Sequence, residues 1–264
     1  PVNSPAARRR HPAALLLLLL GALAIVGTIY ALVNTSTAAR AAGPVLSETV
    51  VEEGRALYLV GCSSCHGLNG EGTSVAPSLI GAGAASVHFQ VATGRMPLAA
   101  PMVQVERKEP SYSEPEVTAL AAYIATLGPG PAIPTAEQLD TTNADLAVGG
   151  ELFRTNCAQC HNFAGSGAAL TEGKYAPSLM DATPQEVYEA MLTGPQNMPV
   201  FGDGTLTVGE KQDILKYVGH LQTQTQPGGA SLGSFGPVTE GAMIFTLGFG
   251  LLAAAAVWIG AKLR

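Results

Sequence analysis

The chain has 264 residues, of which 47% are hydrophobic and only 13% are charged. This composition is more apolar than that of most soluble proteins, so it predicts that part of the chain lies in a membrane. The net charge is -6, and all 20 acidic residues lie between Glu48 and Glu240. Because a phosphate backbone is bound by a basic surface, this acidic middle segment argues against nucleic-acid binding.

The first predicted element is a transmembrane helix over residues 13–33, which carry no charge. About 20 apolar helical residues cross the hydrocarbon core of a bilayer. Three arginines at positions 8–10 precede this segment, so residues 1–12 are predicted to stay in the cytoplasm. The rival interpretation is a cleaved signal peptide with small residues at 38–42. An apolar run longer than the ~7–15 residues of a signal core favours a retained anchor.

The middle of the chain contains an internal repeat of two units, predicted at 45–128 and 145–222. Each unit contains, in the same order, a glycine, an aromatic residue, a Cys-x-x-Cys-His motif, an Ala-Pro-Ser-Leu segment, a Thr-Gly pair and a Met-Pro pair. The first unit has Gly54, Tyr58, Cys62–His66, Ala76–Leu79, Thr93–Gly94 and Met96–Pro97, and the second has Gly149, Phe153, Cys157–His161, Ala176–Leu179, Thr193–Gly194 and Met198–Pro199. The repeat predicts two copies of one fold.

Each unit is predicted to end in an amphipathic helix. Ser113 with Glu116, and Thr207 with Glu210, have the spacing of helix-starting capping boxes. Residues 183–186, with proline at the first helical position, predict the start of a further helix in the second unit. No segment has a convincing strand pattern, so the chain is predicted to be all-α. The predicted buried faces of the closing helices are Leu120, Tyr123, Ile124 and Leu127, and Ile214, Tyr217, Val218 and Leu221.

Two linkers and a second membrane span complete the predicted organisation. Stretches rich in glycine and proline or in small polar residues predict linkers at 129–144 and 223–240. Residues 242–261 are uncharged and precede two basic residues, which predicts a second transmembrane helix with a cytoplasmic end. The predicted protein is therefore a two-span protein of the plasma membrane, with both termini in the cytoplasm and both units on the extracytoplasmic side.

The two cysteine pairs allow disulfides, a zinc site, redox pairs or haem attachment. In Cys-x-x-Cys-His the thiols lie one helical turn apart, which suits thioether bonds to one haem whose iron the histidine binds. A redox pair requires a βαβ setting, whereas zinc or disulfides leave both histidines unexplained. We therefore predict two haem c groups. The attachment residues are Cys62, Cys65, Cys157 and Cys160, and the iron ligands are His66 and His161.

The second axial ligand of each iron is expected to be a thioether or another imidazole. Met96 and Met198 occupy matching positions before a proline and are the predicted ligands, with Met102 as the alternative in the first unit. His88 and His220 have no counterpart in the other unit and are predicted to be surface or packing residues.

The proline of each Ala-Pro-Ser-Leu segment is predicted to support the proximal histidine. The carbonyl oxygens of Pro77 and Pro177 are positioned in sequence to accept the Nδ1–H of this histidine, which would fix the orientation of its ring.

These motifs resemble class I cytochrome c domains. In that family a Gly-x-x-x-aromatic helix, the Cys-x-x-Cys-His motif, a Pro-x-Leu turn, a methionine loop and an aromatic-bearing closing helix follow in this order. The resemblance implies two tandem class I cytochrome c domains flanked by an N-terminal and a C-terminal transmembrane helix. It also implies that the first and last helices of each domain cross at the glycine.

The whole arrangement resembles the dihaem cytochrome c subunit of the actinobacterial cytochrome bcc complex, a menaquinol:cytochrome c reductase. The implied partners are a cytochrome b subunit, a Rieske iron–sulfur subunit and the copper centre of an aa3-type oxidase, besides membrane lipid. In this interpretation the chain is the electron-transfer subunit of a translocase complex and has no substrate-converting site of its own. Electrons are expected to arrive from the Rieske centre at the second unit and leave from the first.

Two other functions remain open from the sequence. One is a dihaem subunit of a cbb-type oxidase or of a periplasmic dehydrogenase, although the C-terminal span argues against the oxidase. The other is a dihaem peroxidase, which requires an open coordination site at one iron and is disfavoured by the paired methionines.

Overall fold

The computed structural model describes residues 12–41, 47–224 and 237–262. Most of these residues are helical, as predicted. The helices are α1 (Pro12–Ala41), α2 (Glu48–Gly61), α3 (Ser63–His66), α4 (Gly83–Ala92), α5 (Glu114–Thr126), α6 (Ala136–Leu139), α7 (Leu146–Asn156), α8 (Ala158–His161), α9 (Pro184–Thr193), α10 (Val208–Thr223) and α11 (Pro237–Lys262). A short antiparallel pair that the sequence did not predict joins β1 (Ala168–Ala169) to β2 (Tyr175–Ala176), with a 3-10 turn at Thr171–Gly173 between them.

The terminal helices α1 and α11 differ in their apolar length. Within α11, Val238–Lys262 has a mean hydropathy of 2.2 and is long and apolar enough to cross a membrane. The apolar stretch found in α1, Leu16–Tyr30, is shorter. Residues 1–11 and 225–236, which include most of the predicted cytoplasmic N-terminus and second linker, lie outside the described residues. The C-terminal helix is thus a candidate span, and the N-terminal span remains a prediction.

In each unit the opening and closing helices cross at a glycine. A Cβ atom at Gly54 of α2 would collide with the carbonyl oxygen of Ala119 in α5. A Cβ atom at Gly149 of α7 would collide in the same way with the carbonyl oxygen of Asp213 in α10. The absence of a side chain therefore lets the two backbones touch, which no other residue type permits at these positions.

Aromatic pairs pack beside both crossings. The ring centroids of Tyr58 and Tyr123 are 5.2 Å apart, and those of Phe153 and Tyr217 are 5.3 Å apart. The faces predicted for the closing helices lie in two hydrophobic cores, as expected. The buried residues of the first core are Tyr58, Val87, Val91, Val117, Leu120, Ala121, Tyr123 and Ile124, and those of the second are Phe153, Val187, Tyr188, Met191, Phe201, Leu206, Ile214, Leu215 and Val218.

Capping boxes start the two helices for which they were predicted, α5 and α10, and the structure shows a further one at the start of α9. In α10 the Thr207 N–H donates to the Glu210 carboxylate at 2.7 Å, and the Glu210 N–H donates to Thr207 Oγ1 at 3.3 Å. These bonds satisfy backbone donors that a helix start otherwise leaves unpaired.

The two units contact each other through α4 and α9. His88 of α4 is only 7% exposed, and its Nδ1 lies 2.9 Å from a carboxylate oxygen of the fully buried Glu189 of α9. Its Nε2 lies 3.2 Å from Glu114 Oε1. Burial lowers the pKa of His88, but hydrogen bonds and charges from Glu189 and Glu114 outweigh burial and raise the pKa overall. His88 is thus a packing residue, as expected, and its contact with Glu189 joins the two units.

The predicted first linker packs against the first unit. The Ala85 N–H of α4 donates to the Pro131 carbonyl at 3.0 Å. Gly83 has φ +79°, and a side chain there would collide with the backbone of Pro131. This segment is therefore held in place at its start rather than extended into solvent.

Replacing Gly149 with alanine tests the second crossing. Gly149→Ala is expected to destabilise the protein by about 1–3 kcal/mol, because the added methyl group forces the two helices apart. Gly219→Ala is the control, since Gly219 lies inside α10 with nothing within 4 Å of the added Cβ. The control is expected to be neutral or to stabilise by up to about 1 kcal/mol. Chemical denaturation followed by circular dichroism measures both, and equal effects would contradict the crossing.

The charge of His88 predicts a pH-dependent contribution to stability. Since its folded pKa is raised above 6.5, protonated His88 stabilises the fold below that pH, and this stabilisation is lost as pH rises through the folded pKa. The difference in unfolding free energy between wild type and His88→Gln should therefore be larger at about pH 5.5 than at about pH 8.5. His220→Gln, at an exposed position of α10, is the matched control for the loss of an imidazole. A pH-independent difference for His88→Gln would refute this role.

Candidate functional site

Each Cys-x-x-Cys-His motif forms one helical turn directly after a crossing helix. Cys62 and Cys157 are half-buried, Cys65 and Cys160 are exposed, and none of the four forms a disulfide. Burial, with a smaller contribution from Cys65, raises the pKa of Cys62 to about 11. Burial and Cys160 raise the pKa of Cys157 to about 11 in the same way. Among the described residues, no three His, Cys, Asp or Glu side chains group as metal ligands.

The proximal histidine of each motif is oriented by a proline carbonyl. His66 Nδ1 lies 2.8 Å from the Pro77 carbonyl oxygen, and His161 Nδ1 lies 2.9 Å from that of Pro177. A carbonyl can only accept a hydrogen bond, so Nδ1 carries the proton and Nε2 keeps its lone pair for a metal. Burial lowers the pKa of His161 although the hydrogen bond to Pro177 opposes it, which favours the neutral imidazole that iron requires.

A glycine turn brings each proline back to its histidine. The Gly72 N–H donates to the His66 carbonyl at 2.7 Å, and the Gly167 N–H donates to the His161 carbonyl at 2.9 Å. Both glycines have positive φ, +82° and +79°, and a side chain on either would collide with the returning backbone. These glycines were not predicted from the sequence, although their spacing from the histidine is the same in both units.

A cavity in the second unit brings the predicted site residues together. His161, Met198, Cys157, Cys160 and Pro177 all line it. Its empty space is about 1380 Å³, including the mouth that opens to solvent. Buried core residues form part of its wall, namely Phe153, Met191, Phe201, Ile214 and Val218.

These residues fit a covalently attached haem. The wall is mostly apolar, and two thiols, an imidazole and a thioether border the same space. Soft thioether and imidazole ligands are those found on haem iron in cytochromes c.

In the first unit the structure brings His66 and Pro77 together beside the cysteine pair. Met96 is partly buried and packs against the first hydrophobic core, whereas Met102 is 60% exposed. The positions of these methionines favour Met96 over Met102 as the ligand, and the ligation itself remains a prediction.

The first unit also contributes to the wall of the second unit's cavity, which was not predicted from the sequence. The contributing side chains include Phe89, Arg95, Gln104, Val105 and Arg107. Burial, followed by the charge of Arg107, lowers the pKa of Arg95. One difference between the repeats pointed to this contribution: the charged Arg95 precedes Met96, whereas the uncharged Asn197 precedes Met198.

Known sequence families match both units. The family described as cytochrome c matches residues 51–128, and the family described as cytochrome C oxidase, cbb3-type, subunit III matches residues 144–218.

Longer similarities extend over most of the chain, to proteins named cytochrome bc1 complex cytochrome c subunit. The one from Corynebacterium diphtheriae is 46% identical over 230 residues, 81% of this chain and 82% of its own length. The one from Mycobacterium leprae is 45% identical over 252 residues, which are 93% of this chain and 87% of its own length. The one from Mycobacterium bovis is 44% identical over 262 residues, which are 97% of this chain and 92% of its own length. These similarities confirm the resemblance inferred from the motifs: the chain belongs to the family of cytochrome c subunits of the cytochrome bc1 complex, which transfer electrons by means of haem.

Proposed function

We propose that this chain carries two haem c groups and relays electrons from a Rieske centre to an aa3-type terminal oxidase. The observation that carries the proposal is that the same histidine–proline hydrogen bond recurs behind both cysteine pairs, at 2.8 and 2.9 Å. A single haem would require only one such site. The repeated geometry therefore supports two sites in one chain.

The residues of each unit have distinct roles in this proposal. The cysteines would hold the haem through thioether bonds, the histidine and the methionine would bind its iron, and the proline carbonyl orients the histidine ring. Haem c, when bound, supplies a one-electron iron couple whose potential His/Met ligation raises relative to two imidazoles. The residues are Cys62, Cys65, His66, Pro77 and Met96 in the first unit, and Cys157, Cys160, His161, Pro177 and Met198 in the second.

The proposed architecture is two tandem class I cytochrome c domains, 45–128 and 145–222, between transmembrane helices at 13–33 and 242–261. Separate hydrophobic cores in the two units support two domains. The apolar length of α11 supports the second span, and the arginines at 8–10 support a cytoplasmic N-terminus. Both haem units then lie on the extracytoplasmic side.

The names of the relatives assign those proteins to a cytochrome bc1 complex. We therefore propose that this chain assembles with a cytochrome b subunit and a Rieske subunit, in an oxidoreductase where it has no substrate-converting site. Electrons arrive at the second unit and leave from the first toward the copper centre of the oxidase. Tethering both units to the membrane raises their effective concentration at these partners.

A subunit of a cbb3-type oxidase is the second candidate, since that family matches residues 144–218. The match is limited to the second unit. The bc1-complex relatives cover from 81% to 97% of the chain, which favours the first proposal.

Methionine variants test the proposed haem ligands. Met96→Leu and Met198→Leu should each abolish the weak methionine-to-iron absorption at the red end of the spectrum for one haem. Each variant should retain both haems, because the thioether bonds remain, as intact-mass measurement would show. Met102→Leu is the matched control and should leave the spectrum unchanged. Loss of the band in Met102→Leu but not in Met96→Leu would overturn the assignment, and an intact mass with fewer than two haems would overturn the function.

A further inference from the structure

Arg95 of the first unit has an unsatisfied buried guanidinium group. The residue is 7% exposed, and its Nη1 has no hydrogen-bond partner among the described residues. Its guanidinium carbon lies 4.7 Å from the ring centroid of Phe89, a cation–π contact that supplies no hydrogen-bond acceptor. Since leaving a charge buried and unpaired is costly, a partner for Arg95 is expected on the side where the protein leaves space.

The nearby carboxylate is already engaged. Glu186 accepts two hydrogen bonds from Arg107, at 2.8 and 2.9 Å, and a third from the Thr183 N–H at 3.0 Å. Among the described residues no carboxylate forms an ion pair with Arg95. The missing anion therefore has to come from outside the described side chains.

The space beside Arg95 is the cavity of the second unit, which Arg95 lines together with His161 and Met198. The segment that follows Met96 is fixed against that unit by amide hydrogen bonds. Gln104 Nε2 donates to the Tyr175 carbonyl at 3.1 Å. The Val105 N–H donates to Gln196 Oε1 at 3.0 Å, and Gln196 Nε2 donates back to the Val105 carbonyl at 3.1 Å. Arg95 is thus held at this cavity although it belongs to the other unit.

A haem carries two propionate carboxylates besides its apolar ring and vinyl groups. An arginine guanidinium matches a carboxylate with two parallel hydrogen bonds, which are stronger than neutral ones. We propose that Arg95 of the first unit binds a propionate of the haem held by the second unit. This inference rests on the proposed function, because it requires a haem in the second unit.

The position of Arg95 in the chain gives this contact a consequence. Arg95 directly precedes Met96, so one loop binds the first iron and the second haem's carboxylate. The guanidinium neutralises a negative charge that otherwise favours ferric iron. Arg95 is therefore a positioning and potential-setting residue for the second haem.

The test is a spectroelectrochemical redox titration of the full chain in detergent. The titration step that belongs to the second haem is the one whose reduction potential changes in Met198→His. Arg95→Gln should lower the reduced-to-oxidised equilibrium constant of that haem about tenfold, or about 59 mV for one electron. The reduction potential of the first haem should be unchanged. Arg95→Lys should restore most of the lost potential, because it returns a positive charge.

Arg55→Gln is the matched control, since it removes the same charge from an exposed position on α2. The proposal would be overturned if the reduction potential of the second haem in Arg95→Gln were unchanged, as expected for Arg55→Gln. A change confined to the potential of the first haem would also overturn it. If Arg95→Gln does not accumulate, Arg95→Lys decides, and a tenfold drop in that variant would also overturn it. A wild-type chain with only one haem would instead refute the proposed function, so the two failures are distinguishable.

Discussion

The contact between backbones at Gly54 and Gly149 is the constraint on which each unit is built. Each opening helix runs directly into its cysteine turn, so the crossing fixes where the cysteines and histidine lie relative to the closing helix. In the second unit the closing helix contributes Ile214 and Val218 to the cavity wall. A longer side chain at either glycine would separate the two helices and shift the cysteine turn relative to the closing helix.

The second consequence of the fold is that the two units are not independent. Their interface buries His88 against Glu189 and pairs Arg107 with Glu186. Residues of the first unit also form part of the wall of the second unit's cavity. The buried contact of His88 with Glu189 is favourable only in one relative orientation of the units, because a displacement leaves buried polar groups unpaired. The interface therefore favours a constant separation between the two sites, as a fixed electron relay requires.

The residues that the sequence predicted best are those whose partners are near in the chain or repeated. The capping box at Thr207 and the carbonyl of Pro177 beside His161 follow from local spacing or from the duplicated pattern, whereas the crossing at Gly149 was implied by the resemblance to class I cytochrome c domains. Contacts between the units were not predictable in this way, since His88 and Glu189 are 101 positions apart and neither has a counterpart in the other unit. The burial of Arg95 was missed for the same reason, because an arginine is ordinarily expected at the surface.

The central claim is that both haem units act in series within one quinol-oxidising complex. The most direct measurement is to purify this chain from native membranes in mild detergent, add a reduced menaquinol analogue, and follow the b-type and c-type haem absorption with time. We expect a b-type cytochrome to co-purify and both c-type haems of the chain to be reduced by the quinol. Purification without a b-type haem, or reduction of only one c-type haem per chain, would contradict the account.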